Sequence, residues 1–346
     1  MAYKESLGNT LYVYGQWPIA GQKSPLSSSR SCSTKAGAIS PPRSSQKKST
    51  STTQRLAMKT KKPVIAISYD FDGTLAPGNM QEHQFLPKMK TEPSDFWKNV
   101  KEVAKAKQAD EVLVYMKLML EKAKENKQPV NKESFRSFGK SINLFDGVEE
   151  WFSRINKYAK EHGVSLQHYL ISSGNDEIIR GTKIAKQFDA IYASKYLFDE
   201  NETAEWPALA VNYTTKTQYL FRINKGIRDI SDNNAVNRFT PKEDRPVPFE
   251  NMIFIGDGST DIPCFRLIKD QGGLSIAVFK RNGKNSKSNA MQYREQGRVH
   301  AATPADYTEG SSLDEIVKAR IDYIAKKHTL ETKISSRTAK TARTPK

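Results

Sequence analysis

Three stretches of the chain are apolar without alternation and stop abruptly at polar residues. Residues 64–69 end at Asp70, residues 169–171 end at Ser172, and residues 252–255 end at Gly256 and Asp257. Short runs of this kind predict strands buried on both faces of a sheet. The intervals read as helices. Val148, Trp151, Phe152, Ile155 and Tyr158 recur at helical spacing, with Asp146 and Glu149 as a capping pair and Gly163 as the stop. Strand and helix in alternation predict an α/β fold, a doubly wound Rossmann-like parallel sheet. In such sheets ligands bind outside the carboxyl ends of the strands, so the three polar clusters are expected to converge.

About a hundred residues separate the first strand from the second, more than one crossover needs, which predicts an inserted module. Residues 84–143 read as a mainly helical cap. Ser94 is placed to cap a helix carrying Phe96, Trp97, Val100 and Val103. Residues 109–127 form a second, with Val112, Tyr115, Met116, Leu118, Met119 and Leu120, and a third surrounds Phe135 and Phe138. These aromatic and methionine side chains read as packing residues. Residues 198–213, with Pro207 and an Asp-Glu-Asn-Glu stretch, predict a β-hairpin flap. The catalytic core is then 58–83 together with 144–328.

Composition changes this picture mainly at the ends. The net charge of +17 suggests a polyanionic partner, but residues 1–57 carry eight Lys or Arg against the single acid Glu5. Residues 329–346 carry five against Glu331, so the core between holds only about a third of the excess. Nucleic acid is therefore not the expected partner. The Ser-rich residues 1–57 read as a disordered basic extension, an organelle transit peptide, or sequence upstream of a start at Met58. Residues 329–346 read as a basic C-terminal tail. No apolar run has the length of a membrane span and no secretory signal opens the chain, so a cytoplasmic enzyme without a membrane partner is expected. Cys32 and Cys264 imply no disulfide framework, and Cys264 reads as a small buried residue. His83, His162, His168 and His300 lack metal-ligand spacing, and no Gly-x-x-x-x-Gly-Lys-Ser/Thr loop is present.

The strand ends carry the parts that cleaving a phosphate ester requires. A carboxylate such as Asp70 can attack phosphorus to give an aspartyl-phosphate, provided a cation offsets the repulsion between two anions. Magnesium favours a few carboxylates with phosphate oxygen and water, which suits Asp70, Asp257 and a backbone carbonyl near Asp72. The Asp72 side chain is then free to protonate the leaving oxygen and later take a proton from water. Gly73 permits a close turn and Thr74 can hold the loop.

The motif Asp70-Phe71-Asp72-Gly73-Thr74-Leu75 after an apolar strand resembles the first motif of the haloacid dehalogenase-like superfamily. Leu170-Ile171-Ser172-Ser173-Gly174 resembles its second motif, whose Ser or Thr bonds the transferring phosphoryl group. That implies Ser172, with Ser173 the alternative. Gly256-Asp257-Gly258-Ser259-Thr260-Asp261 resembles the fourth, whose first acid binds magnesium and whose second, Asp261, supports the site. The third motif is a single Lys. Lys216, at a helix start, resembles the Lys-x-x-x-Leu arrangement of the phosphoserine phosphatase-like branch. Lys225, at the end of the same helix, is the alternative.

The resemblance implies a Mg²⁺-dependent phosphatase acting on a small phosphorylated metabolite, with a cap that closes over the site and selects the substrate. Asp70, Asp72, Ser172 and Lys216 are then catalytic, and Asp70, Asp72 and Asp257 hold the metal. A phosphotransferase of the same superfamily and a non-catalytic binding protein using the basic tails remain as alternatives.

Overall fold

The computed structural model describes residues 62–341, with side chains as far as Ser336. The expectations for residues 1–57, including the start at Met58, and for Cys32 lie outside them. The three apolar runs become β1 (Val64–Tyr69), part of β2 (Ser165–Asn175) and, after β3 (Ala190–Phe198) and β4 (Ala204–Leu209), β5 (Met252–Gly256). With β6 (Leu274–Phe279) and β7 (Ala301–Pro304) they form one sheet of seven strands in the order β4-β3-β2-β1-β5-β6-β7. Every pairing is parallel except that of β3 with β4. This is the expected doubly wound α/β sheet, with β1 central between β2 and β5.

Because side chains alternate across a strand, each run feeds two cores. On β1, Ile65, Ile67 and Tyr69 enter one apolar cluster with Trp151, Phe152 and Ile155, while Ala66 enters the other with Phe254, Leu220 and Phe265. An unalternating apolar sequence is what such a doubly covered strand requires.

In chain order the helices are α1 (Met80–His83), α2 (Phe85–Lys88), α3 (Pro93–Lys107), α4 (Glu111–Glu125), α5 (Lys132–Gly139), α6 (Val148–Glu161) and α7 (Asp176–Arg180). The second half adds α8 (Tyr213–Lys225), α9 (Asn233–Asn237), α10 (Ile262–Asp270), α11 (Lys284–Glu295) and α12 (Ser312–Thr341). Several ends differ from expectation. Glu92, not Ser94, precedes α3, because Pro93 fits the first helical position without needing its missing N–H. Gly147 takes the N-cap of α6 at φ 77°, leaving Asp146 outside while Glu149 pairs with Lys183. A side chain at Gly147 would collide with the backbone of Tyr307 and Thr308. The segment read as a C-terminal tail continues α12 as far as Thr341. Among the described residues, no helix is long and apolar enough to cross a membrane.

Residues 84–143 form the helices α2 to α5, the expected mainly helical insert, and hydrogen bonds join it to the core. Tyr115 of α4 donates its hydroxyl to the Ser173 carbonyl at 2.7 Å, and Tyr196 of β3 donates to the Met116 carbonyl at 2.8 Å. The hairpin expected at 198–213 is displaced: β3 and β4 pair around a turn at 199–203, as the edge of the main sheet. Its Ala204 N–H donates to Val130 O at 2.8 Å, so it braces the insert instead of covering the strand ends. Helices α5 and α7 touch backbone to backbone through two glycines. A Cβ at Gly139 would lie 2.0 Å from Ile178 O, and one at Gly181 would lie 1.9 Å from Arg136 O.

Gly181→Ala is therefore expected to lower stability by about 1–3 kcal/mol, the cost of forcing one extra methyl into a packed contact. Urea unfolding checks this, and a midpoint equal to that of the wild type would contradict the contact.

Candidate active site

Asp70 continues β1 by one residue, its N–H donating to Ile255 O of β5 at 2.9 Å. Its carboxylate is held at both oxygens. Oδ1 accepts from the Phe71 N–H at 2.7 Å, and Oδ2 lies 2.8 Å from the Lys216 ammonium. The chain then turns sharply, with Phe71 buried as an anchor and the Leu75 N–H closing onto Phe71 O at 2.8 Å. Gly73 is obligatory here. Its φ is +73°, and a Cβ would lie 2.0 Å from Asp257 Oδ2. Buried Thr74 donates a long hydrogen bond, 3.4 Å, to Asp257 Oδ1. The Asp72 carboxylate accepts from the Met80 N–H at 2.8 Å, at the start of α1.

Lys216 reaches Asp70 because of how α8 starts. Asn212 is its N-cap and shares reciprocal bonds with Thr215, which fixes the first turn and aims Lys216 inward. The ammonium is fully buried between Asp70 Oδ2 and Asp261 Oδ1, the latter at 2.7 Å. Asp261 in turn accepts the Asp257 and Gly258 N–H groups on its other oxygen, both at 3.1 Å. It thus ties the β5 loop to Lys216, a stronger role than the supporting one expected of it. The alternative, Lys225, lies at the far end of α8 and donates to the carbonyls of Val236 and Arg238. The geometry brings Lys216 to Asp70 and leaves Lys225 away from it.

Ser172 is fully buried, its Oγ accepting from the Gly174 N–H at 3.0 Å, while the Ser173 Oγ has no hydrogen-bond partner. Both serines line the cleft of about 400 Å³ that contains Asp70, Asp72 and Asp257. All the residues expected at the site, Lys225 excepted, therefore gather at the carboxyl ends of β1, β2 and β5. The histidines do not join them. His168, for example, is buried between Tyr69 and Asn156, and burial pushes its imidazole down to about 4. Cys264 is fully buried, as expected.

Four carboxylates face one cation in this cluster, and their titration reflects it. Burial raises Asp257 well above the carboxylate range, and the charges of Asp261 and Asp70 raise it further. Asp72 is raised likewise, by burial and then by Asp70. Burial and then Asp70 bring Asp261 up to about 6 despite Lys216. For Lys216 burial acts downward, but the charges of Asp261 and Asp70 outweigh it and hold the ammonium charged. Carboxylate oxygens of Asp70, Asp257 and Asp261 come within 4.8 Å of one another, so the donor set fits a hard cation. The Asp72 carboxylate, expected as a metal ligand, is not among these three and accepts from the Met80 N–H instead.

Residues 67–266 match the family model of haloacid dehalogenase-like hydrolases, and the chain belongs to that family. An uncharacterized protein of Borreliella burgdorferi is 26% identical over 283 residues, which cover 74% of this chain and 96% of that protein. Among solved structures, a HAD family hydrolase of Salmonella enterica serovar Typhi superposes with a TM-score of 0.48 at 15% identity. That match covers 73% of this chain and 69% of the other. A probable phosphoserine phosphatase of Vibrio cholerae gives a TM-score of 0.48 at 13% identity, covering 79% and 68%.

Sequence reasoning did not identify the outer wall of the cleft, formed by Asn79, Phe145, Ser259, Thr260, Lys280 and Ser286. Lys280 was within reach of the same strand-end logic, since it follows the apolar run of β6.

Replacing Lys216 with Met leaves Asp70 and Asp261 buried without their cation. Loss of about 3–5 kcal/mol of stability at neutral pH is expected in the metal-free protein. Lys225→Met, which gives up only hydrogen bonds to carbonyls, is expected to cost about 1 kcal/mol. Urea unfolding of the two variants decides this, and equal costs would contradict the buried ion pair.

Proposed function

We propose that this chain is a Mg²⁺-dependent phosphatase that hydrolyses a small phosphate monoester through an aspartyl-phosphate on Asp70. The observation that carries the reading is the Asp70 carboxylate, fixed by Lys216 at 2.8 Å, with Asp72 two residues on in the same cleft. The Lys216-x-x-x-Leu220 spacing and a helical insert directly after the first motif support the phosphoserine phosphatase-like branch of the family.

An Asp70 oxygen attacks phosphorus, so a bond from phosphorus to Asp70 forms as the ester P–O bond breaks. Asp72 supplies the proton to the leaving oxygen. Burial and the neighbouring Asp70 charge favour its protonated form, which suits an acid acting near neutrality. Water then attacks the phosphoryl group, Asp72 takes back a proton, and inorganic phosphate leaves as the bond to Asp70 breaks. Ser172, whose Oγ accepts from Gly174 N–H, keeps its own proton to donate to a phosphoryl oxygen, with Ser173 as the alternative. Asp261, through both oxygens, holds Lys216 and the Asp257 loop in register.

Asp70, Asp257 and the Asp72 carbonyl would hold the Mg²⁺, with Asp261 beside them. Bound there, the ion supplies the positive charge that lets a carboxylate approach a phosphate dianion. Among the described residues the Asp257 carboxylate accepts one hydrogen bond, the long one from Thr74, which leaves it the freest of these carboxylates. Transfer to another acceptor would share every step but the last, and added alcohol acceptors distinguish it from hydrolysis.

The test is a phosphatase assay with p-nitrophenyl phosphate and a panel of phosphorylated metabolites. Asp70→Asn is expected to reduce kcat by roughly a thousandfold or more with the fold intact by circular dichroism. Chelation is expected to abolish activity and Mg²⁺ to restore it. An Asp70→Asn variant that keeps about a tenth or more of the activity would refute the nucleophile.

A further inference from the structure

The cleft continues outward from Asp70, and the identity of its outer walls bears on the substrate. Its volume of about 400 Å³ exceeds ten times the ~30 Å³ share of one water molecule, so space remains beyond a phosphoryl group. Among the described residues, none from 85 to 143 lines this space. Tyr115 and Met116 of the insert are instead engaged with Ser173 and Tyr196. The expectation that the helical insert selects the substrate thus finds no support in the lining of the cleft. Beyond the aspartates the cleft is bounded by residues 77–79, by Phe145 and by the segments that follow β5 and β6, which are the surfaces open to the variable part of a phosphate monoester.

Lys280 lines that outer space as the first residue beyond β6. It is exposed, and among the described residues no carboxylate pairs with its ammonium, whereas the adjacent Arg281 is paired with Asp306. The turn from Lys280 to Gly283 is closed by the Gly283 N–H donating to Lys280 O at 2.8 Å. Ser286, on the first turn of α11, donates to Gly283 O at 3.0 Å and lines the same space. The remaining lining side chains on this side, Ser259 and Thr260, are neutral hydrogen-bonding groups. A single unpaired cation set among hydroxyls, at the outer end of a cleft whose inner end is acidic, is chemistry that recognises an anion.

We propose that Lys280, with Ser286 beside it, forms a second anion subsite. The substrates then carry a second anionic group, a carboxylate or a second phosphate, on the leaving group. The inference rests on the phosphatase reading of the same cleft.

The experiment compares kcat/KM for matched pairs that differ only in that group. One pair is phosphoglycolate against its carboxamide, and the other is propane-1,3-diol bisphosphate against the monophosphate. p-Nitrophenyl phosphate reports whether the phosphatase reaction itself occurs. The wild type is expected to prefer an anionic member by about tenfold or more, the factor that one charge-assisted hydrogen bond supplies. The pair that shows the preference identifies carboxylate or phosphate as the recognised group. Lys280→Ala is expected to remove most of the preference, Lys280→Glu to reverse it, and Lys280→Arg to retain it. The wild-type preference should also shrink as salt is raised, because the subsite is exposed.

Hydrolysis with no preference in either pair, or a preference that survives Lys280→Ala, overturns the subsite and leaves the phosphatase reading standing. Absence of hydrolysis of every ester, p-nitrophenyl phosphate included, overturns both.

Discussion

The site depends on one buried ammonium. Lys216 lies between Asp70 and Asp261 with no solvent to share its charge. An ion pair buried this completely is stable only if every charge has its counterpart in place, because desolvation costs several kcal/mol per ion. The requirement acts on three distant parts of the chain at once. Asp70 must end β1, Asp261 must follow β5, and α8 must begin where Asn212 and Thr215 cap it. Even so, among the described residues Asp72 and Asp257 have no ammonium of their own, and four carboxylates share the one cation. That surplus makes the cluster receptive to a hard cation.

The sheet supplies the convergence and glycine the fine spacing. With β1 central between β2 and β5, the residues after these strands meet without any long loop reaching across. Gly73 lets the turn after Asp70 press against Asp257, and Gly256 lets Asp261 fold back over the end of β5, where a Cβ would lie 2.5 Å from its carboxylate. At each of these points a methyl group would occupy the position of a carboxylate. The backbone of the site is therefore as specific as its side chains.

Much of this was legible in the sequence, for a physical reason. Strands buried on both faces leave an unbroken apolar signature, and the polar residue that ends each one has a predictable place. Asp70, Ser172 and Asp257 were found in this way, and Lys216 was preferred over Lys225 because anions bind at helix starts. What was not legible depends on side-chain direction and on contacts distant in sequence. Asp261 read only as a supporting acid, because nothing local shows that Lys216 lies 2.7 Å away. How the insert is joined to the core was not legible either, since its composition says nothing of the bond from Tyr115 to Ser173 or of the glycine contact between α5 and α7. Asp146 and Glu149 matched a capping pair in spacing, yet Gly147 took the position because only it fits against Tyr307 and Thr308.

The central claim is that Asp70 accepts the phosphoryl group. The most direct measurement is acid quenching during turnover of p-nitrophenyl phosphate with Mg²⁺, followed by peptide mass mapping of the trapped protein. The account predicts one acid-stable, base-labile phosphoryl group on the peptide that contains Asp70. A phosphoryl group on any other side chain would contradict it, as would steady turnover with unmodified Asp70 under conditions that trap an acyl phosphate.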